Sequence, residues 1–169
     1  AEGLDGLITG EFKLGKQKGG GFISKSKLEV TGIDINKTFS SFNNFGQNFI
    51  ISDNLYGTLT GNVTVLTPLD DNYNVVYPAL VADAHLVISD GRLVSFAPAE
   101  SLSSYIDLDE LKDIGFSRME NDIFINNSTV SVPKMLINSS AVNFTVYGTH
   151  NFNSDYSYHV RLLLSEVLS

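Results

Sequence analysis

Apolar and polar residues alternate with period two along most of this chain. From Gly57 to Thr67 it reads GTLTGNVTVLT, with Leu59, Gly61, Val63 and Val65 on one side and Thr58, Thr60, Asn62 and Thr64 on the other. This is the signature of a half-buried strand rich in β-branched residues. The same alternation runs through Ala82, Ala84, Leu86 and Ile88, through Val142, Phe144 and Val146, and through Tyr156, Tyr158, Val160 and Leu162. ITGEFKL and FISKSKLEVTGI read as two earlier strands joined by a loop at Lys18-Gly19-Gly20-Gly21.

Turn residues punctuate the strands. Asp70-Asp71-Asn72 separates VTVLTPL from YNVVYPALV, and Asn126-Asn127-Ser128 separates DIFI from TVSV. Asn138-Ser139-Ser140 separates KMLI from AVNF, and Ser89-Asp90-Gly91 reads as a hairpin turn between HLVI and RLVSF. Pro133 inside a strand run predicts a bulge or an edge position. A strand–turn–strand unit recurs loosely at residues 83–96, 121–138 and 136–148, without a strict period.

Two stretches break the alternation. Phe39, Phe42, Phe45 and Phe49 fall on one face of a predicted helix over residues 38–49, with Asn36 as its cap. Leu102, Tyr105, Ile106, Leu108 and Leu111 predict a second helix between Pro98 and Ile114, with Gly115 as its stop. The expectation is a mainly β domain over residues 1–169 of about eight to ten strands. These form a curved antiparallel meander, either a partly open groove or a sandwich, with two short helices.

Composition narrows the function. The 169 residues include no Cys and no Trp, and the hydrophobic fraction of 43% is too high for a disordered chain. Without Cys there are no disulfides, thiol nucleophiles, thiolate zinc sites or iron–sulfur clusters. The longest apolar runs are too short for a membrane-spanning helix. A net charge of -8 argues against a nucleic-acid partner and discourages attraction to anionic lipid headgroups. The start at Ala1-Glu2-Gly3 carries no targeting signal, and the apolar end at Leu162-Leu163-Leu164 predicts an excised segment of a longer protein.

No motif points to catalysis. Of His85, His150 and His159, only His85 has a ligand-type neighbour on its strand face, Asp83, which is one edge of a metal site at most. Asp107-Leu108-Asp109-Glu110 opens like a calcium loop, but Lys112 and Arg118 occupy the positions that need Gly and Glu. Gly15 to Gly21 lacks the lysine placement and following helix of a phosphate-binding loop. There is no nucleophile elbow, and the carboxylates are scattered among turns. The Asn-x-Ser/Thr triplets at Asn36, Asn62, Asn126, Asn127, Asn138 and Asn143 are what an Asn/Thr-rich strand sequence produces by chance. No enzyme activity, cofactor or metal is expected.

The sheet itself is the remaining candidate. Two short helices cover only part of the apolar face of nine or so strands, which leaves a closed sandwich or an open apolar face. In the open case the candidate lining residues for lipid acyl chains are Val63, Val65, Leu86, Ile88, Val130, Val132, Phe144, Val146, Val160 and Leu162. In the other case, free sheet edges make a structural interaction or adhesin-type module of an envelope assembly.

The order INKTFSSFNNFGQNFI, LYGTLTGNVTV, the stretch from Ala79 to Ser140, and FTVYGTHNF resembles the C-terminal region of AsmA-like proteins, most closely the Bacteroidetes type. The resemblance is strongest from about Asn36 to Leu164. Its most telling part is Asp90-Gly91-Arg92-Leu93-Val94-Ser95-Phe96, followed by Ile114-Gly115-Phe116, Ile125-Asn126-Asn127 and Val146-Tyr147-Gly148. The resemblance implies a segment of an inner-membrane-anchored, periplasmic protein linked to outer-membrane assembly and phospholipid homeostasis, with an apolar β-groove. The anchor and most of the β-rich length of such proteins are absent here. Acyl chains, the rest of the same chain and envelope assembly proteins are the partners it implies, with membrane association only through a segment absent here.

Overall fold

The alternating segments form one open antiparallel sheet of nine strands, each paired with its sequence neighbours. The strands are β1 Glu2–Gly3, β2 Gly6–Lys16, β3 Phe22–Asp34, β4 Leu55–Leu69, β5 Val81–Val94, β6 Asp113–Asn126, β7 Thr129–Ile137, β8 Phe144–Asn151 and β9 Tyr156–Leu162. Three short helices lie between them: α1 Ile35–Ser41, α2 Ala97–Glu100 and α3 Leu108–Lys112. The structure, a computed structural model, describes residues 2–46, 50–100, 108–140, 143–152 and 155–162.

The meander gives the sheet two unlike ends. The described parts of the α1, α2–α3 and β7–β8 connections lie at one end, with the three helices found among the described residues. Connections 17–21, 70–80 and 127–128 lie at the other, with the described ends of the β8–β9 connection. Ile35 of α1, Phe96 and Leu111 of α3 pack on Ile33, Leu55, Leu59, Ile88, Leu93, Ile114, Phe116, Ile137, Phe144 and Val146. Leu111, Ile114 and Ile137 are the largest fully buried side chains. Among the described residues the core therefore occupies the helix end of one face, where a second layer excludes water.

Several local expectations change. α1 is capped by Asp34, whose carboxylate accepts the Lys37 N–H at 2.9 Å. Asn36 instead donates its side-chain amide to the Ser52 carbonyl. The helix stops at Ser41 because Asn43 and Asn44 adopt φ of 50° and 51°, a left-handed conformation that short polar side chains tolerate. Phe39 packs on the core, Phe42 is exposed, and Phe49 lies outside the described residues. Of the second predicted helix, the described residues show helix at Ala97–Glu100 and Leu108–Lys112, and Leu102, Tyr105 and Ile106 lie outside the described residues. Gly115 does not end it: α3 stops at Lys112, and Gly115 pairs with Arg92 inside β6.

Ser89-Asp90-Gly91 is not a hairpin turn. β5 runs through it, held by β4 on one side and β6 on the other. Asp90 takes φ 51°, the β4–β5 register shifts between Tyr56 and Thr58, and the chain absorbs a bulge there. Gly91 has a packing reason, since a Cβ at that position would meet the Phe116 ring at 2.1 Å. Leu93 and Phe96, the later apolar residues of the same motif, belong to the core. YNVVYPALV is likewise not a strand. Asp70 accepts the N–H groups of Asn72 and Asn74, Val75 bridges back to Leu69, and Tyr77–Ala79 forms a 3-10 turn around Pro78. The turns at 18–21, 126–128 and 138–140 stand, and the β7–β8 register shifts between Val132 and Met135, around Pro133.

Leu111→Ala should cost about 2–5 kcal/mol of stability in chemical denaturation, because α3 loses its buried anchor. Leu14→Ala, at a side chain 48% exposed, should cost less than about 0.5 kcal/mol. Equal effects would show that α3 is not packed on the sheet.

Candidate functional site: the uncovered half of the apolar face

Cross-strand pairing carries the apolar face beyond the helices. Leu28, Val63, Ala84 and Ile123 are direct neighbours across β3, β4, β5 and β6. One row nearer the loop end, Phe12, Ser26, Val65, Ala82, Ile125 and Val130 follow one another from β2 to β7. Directly paired residues share a face, so both rows continue the surface on which the core is built. Leu28, Val63, Val65, Ile123, Ile125 and Val130 are only half-buried, and Phe12 is 67% exposed. Small Ala82 and Ala84 sit low between larger neighbours and leave a shallow floor.

The ten sequence-derived lining residues divide in three. Val63, Val65, Val130 and Val132 are half-buried and lie on the uncovered region. Leu86 and Val160 pack against the edge of the core. Ile88, Phe144 and Val146 are 6%, 5% and 9% exposed and belong to the closed core, so they do not line an open surface. The helical connections cover the part of the sheet where these three sit, which strand alternation alone does not reveal. Leu162 pairs with Phe144 at the end of β9. Leu28, Ile123, Ile125, Phe12 and Leu14 were missed. The alternation of Ile8, Phe12 and Leu14 against Thr9, Glu11 and Lys13 in β2 carried that signal.

The opposite face is mainly polar, though Leu66, Val81, Val87 and Phe124 also lie on it. Its rows include Glu29–Asn62–His85–Asp122 and Lys27–Thr64–Asp83. His85 lies between two carboxylates, with Nδ1 2.8 Å from Asp122 and Nε2 3.1 Å from Glu120. Arg118 in turn binds Glu120 at 2.6 Å. Asp83 shares this face but is not a partner of the imidazole. Among the described residues no three His, Asp or Glu side chains converge as a metal site. Two open depressions of about 110 and 150 Å³ lie elsewhere on the polar face, lined by Glu11, Lys13, Lys25 and Lys27 and by Lys134, Thr145, Tyr147 and Arg161. Neither borders His85.

The two environments shift histidines in opposite directions. The hydrogen bond to Asp122, with the charges of Asp122 and Glu120, holds His85 above its ordinary 6.5. Its stabilising contribution is complete below the unfolded value and is lost as pH rises through the folded one. His150 is half-buried with Nδ1 2.7 Å from the Tyr158 hydroxyl, and burial pushes its pKa down. Its contribution is present above the unfolded value and is lost as pH falls through the folded one.

In an NMR titration, the His85 ring signals should move at a midpoint above 6.5 and those of His150 below it. Asp122→Asn should lower the His85 midpoint and leave that of His150 in place. A shared midpoint would contradict the placement of these rings. Comparison with known protein families, curated proteins and solved structures finds no match for the chain, so its functional reading rests on the two faces of the sheet.

Proposed function

We propose that this chain is a non-enzymatic lipid-binding module of a cell-envelope protein of the AsmA-like kind. In this reading it works on the periplasmic side, in phospholipid transport or homeostasis and outer-membrane assembly. The observation that carries the reading is a sheet face that is mainly apolar and that, among the described residues, is covered at only one end. Acyl chains laid over Leu28, Val63, Val65, Ile123, Ile125 and Val130 would complete the burial that the helices leave unfinished. Each CH₂ removed from water contributes about 0.8 kcal/mol. Such a surface discriminates weakly between chain lengths, because a methylene more or less changes binding by only about 0.8 kcal/mol.

A second reading has its own support. β1 pairs only with the start of β2, at Gly6 and Leu7. Among the described residues the outer edge of β2 from Ile8 to Lys16 has no strand beside it. An edge of this length can accept another strand, as an interaction module of an envelope assembly would require.

Native mass spectrometry of protein purified from cells should detect bound phospholipid. Val63→Asp together with Ile125→Asp should remove it, while Thr64→Asp on the polar face should leave the load unchanged. A wild-type protein without lipid, or equal loads in both variants, would overturn the acyl-binding reading in favour of edge pairing.

A further inference from the structure

The loop end of the sheet carries a group of lysines that the acyl-binding reading does not use. The β2–β3 hairpin holds Lys13, Lys16, Lys18, Lys25 and Lys27, five of the chain's 11 cationic side chains, with no acidic residue from Phe12 to Leu28. Lys13 and Lys25 are direct cross-strand partners, a like-charge pair that opposes folding. They share a solvent-open depression with Lys27 and with Glu11, whose carboxylate is 3.9 Å from Lys13. Among the described residues Lys16, Lys18, Lys25 and Lys27 have no ion-pair partner. An external anion would relieve this repulsion.

Exposed apolar groups border the lysines. Phe12 and Leu14 are 67% and 48% exposed on the other side of the hairpin. In the adjoining connection Tyr73 and Tyr77 are 60% and 57% exposed. Both rings are held: Tyr73 stacks on Phe22 at 4.6 Å, and Tyr77 meets Phe152 edge-on at 5.9 Å. The acidic groups nearby are Glu11, Asp70 and Asp71. Asp70 accepts N–H groups of its own turn, and Asp71 accepts the Gly21 N–H at 2.8 Å, tying the connection to the hairpin tip. The five lysines outnumber these three carboxylates, on a chain whose net charge is -8.

We propose that this corner docks on the surface of an anionic lipid bilayer. The lysines meet the phosphate headgroups, while Phe12, Leu14 and the two tyrosine rings enter the interfacial layer. A bilayer offers an anionic surface and an apolar interior within one lysine side chain of each other. A nucleic acid would satisfy the lysines and leave Phe12 in water. The overall acidity first counted against anionic lipids, but it is an average over an unevenly charged surface. Phe12 and Leu14 also border the open face, but docking does not require acyl chains there, and its dependence on the lysines and on salt separates the two readings.

The test is co-sedimentation of the full chain with phosphatidylcholine vesicles, with and without a quarter phosphatidylglycerol. Binding should be much tighter to the anionic vesicles and should fall with added salt. Lys16→Gln with Lys18→Gln should weaken it about thirty-fold, and Phe12→Ser should also weaken it. The charge-matched control Lys134→Gln with Arg161→Gln, away from this corner, should leave it unchanged. Because the chain has no Trp, Phe12→Trp reports insertion directly: brominated lipid should quench it, and should not quench Tyr147→Trp on the polar face. Equal binding to both vesicle types, no binding to either, or an unquenched Trp at position 12 would overturn the proposal.

Discussion

The organising constraint is that a single-layered sheet with one apolar face needs a second layer, and the described residues supply one over only part of it. α1, Phe96 and α3 cover the helix end, where Leu111 and Ile114 are sealed against Ile137 and Phe144. α1 is short, at 7 residues, so its own hydrogen bonding does not sustain it. It persists because it is docked, and the helix end of the sheet stays dry because α1, Phe96 and α3 are there. Towards the loop end the same strands continue with the same inward parity, and their valines and isoleucines remain half in water.

This partial cover divides the molecule into regions with different physical roles. The helix end stores the burial that holds the fold together. The middle of the apolar face keeps unsatisfied hydrophobic area, which is the property a lipid-binding surface needs. The opposite face carries Thr, Asn and paired charges such as His85 with Asp122, and stays solvated. At the loop end, lysines and exposed aromatic rings meet on one corner.

Much of the sheet was legible because period-two alternation is a direct consequence of strand geometry. Val63, Val65, Ala82 and Ala84 are on the predicted face for that reason. The failures have equally specific causes. Ser89-Asp90-Gly91 carries the residues of a turn, yet Asp90 and Gly91 serve a bulge, because strands on both sides hold β5 in the sheet. Asn36 was one position from the start of α1, yet Asp34 makes the capping bond. Ile88, Phe144 and Val146 alternate just as Val63 and Val65 do. Their burial depends on where helices remote in sequence come to rest, which alternation cannot encode.

The central claim is that the apolar face is open beyond the helices, and the absence of Cys makes it directly measurable. Single cysteines placed at Val63, Ile125, Ile88 and Ile114 can be timed against a maleimide in delipidated protein. The account predicts rapid labelling at positions 63 and 125 and labelling at 88 and 114 only at the rate of unfolding. Protection at 63 and 125 equal to that at 114 would show that another layer covers the face, and would contradict the account.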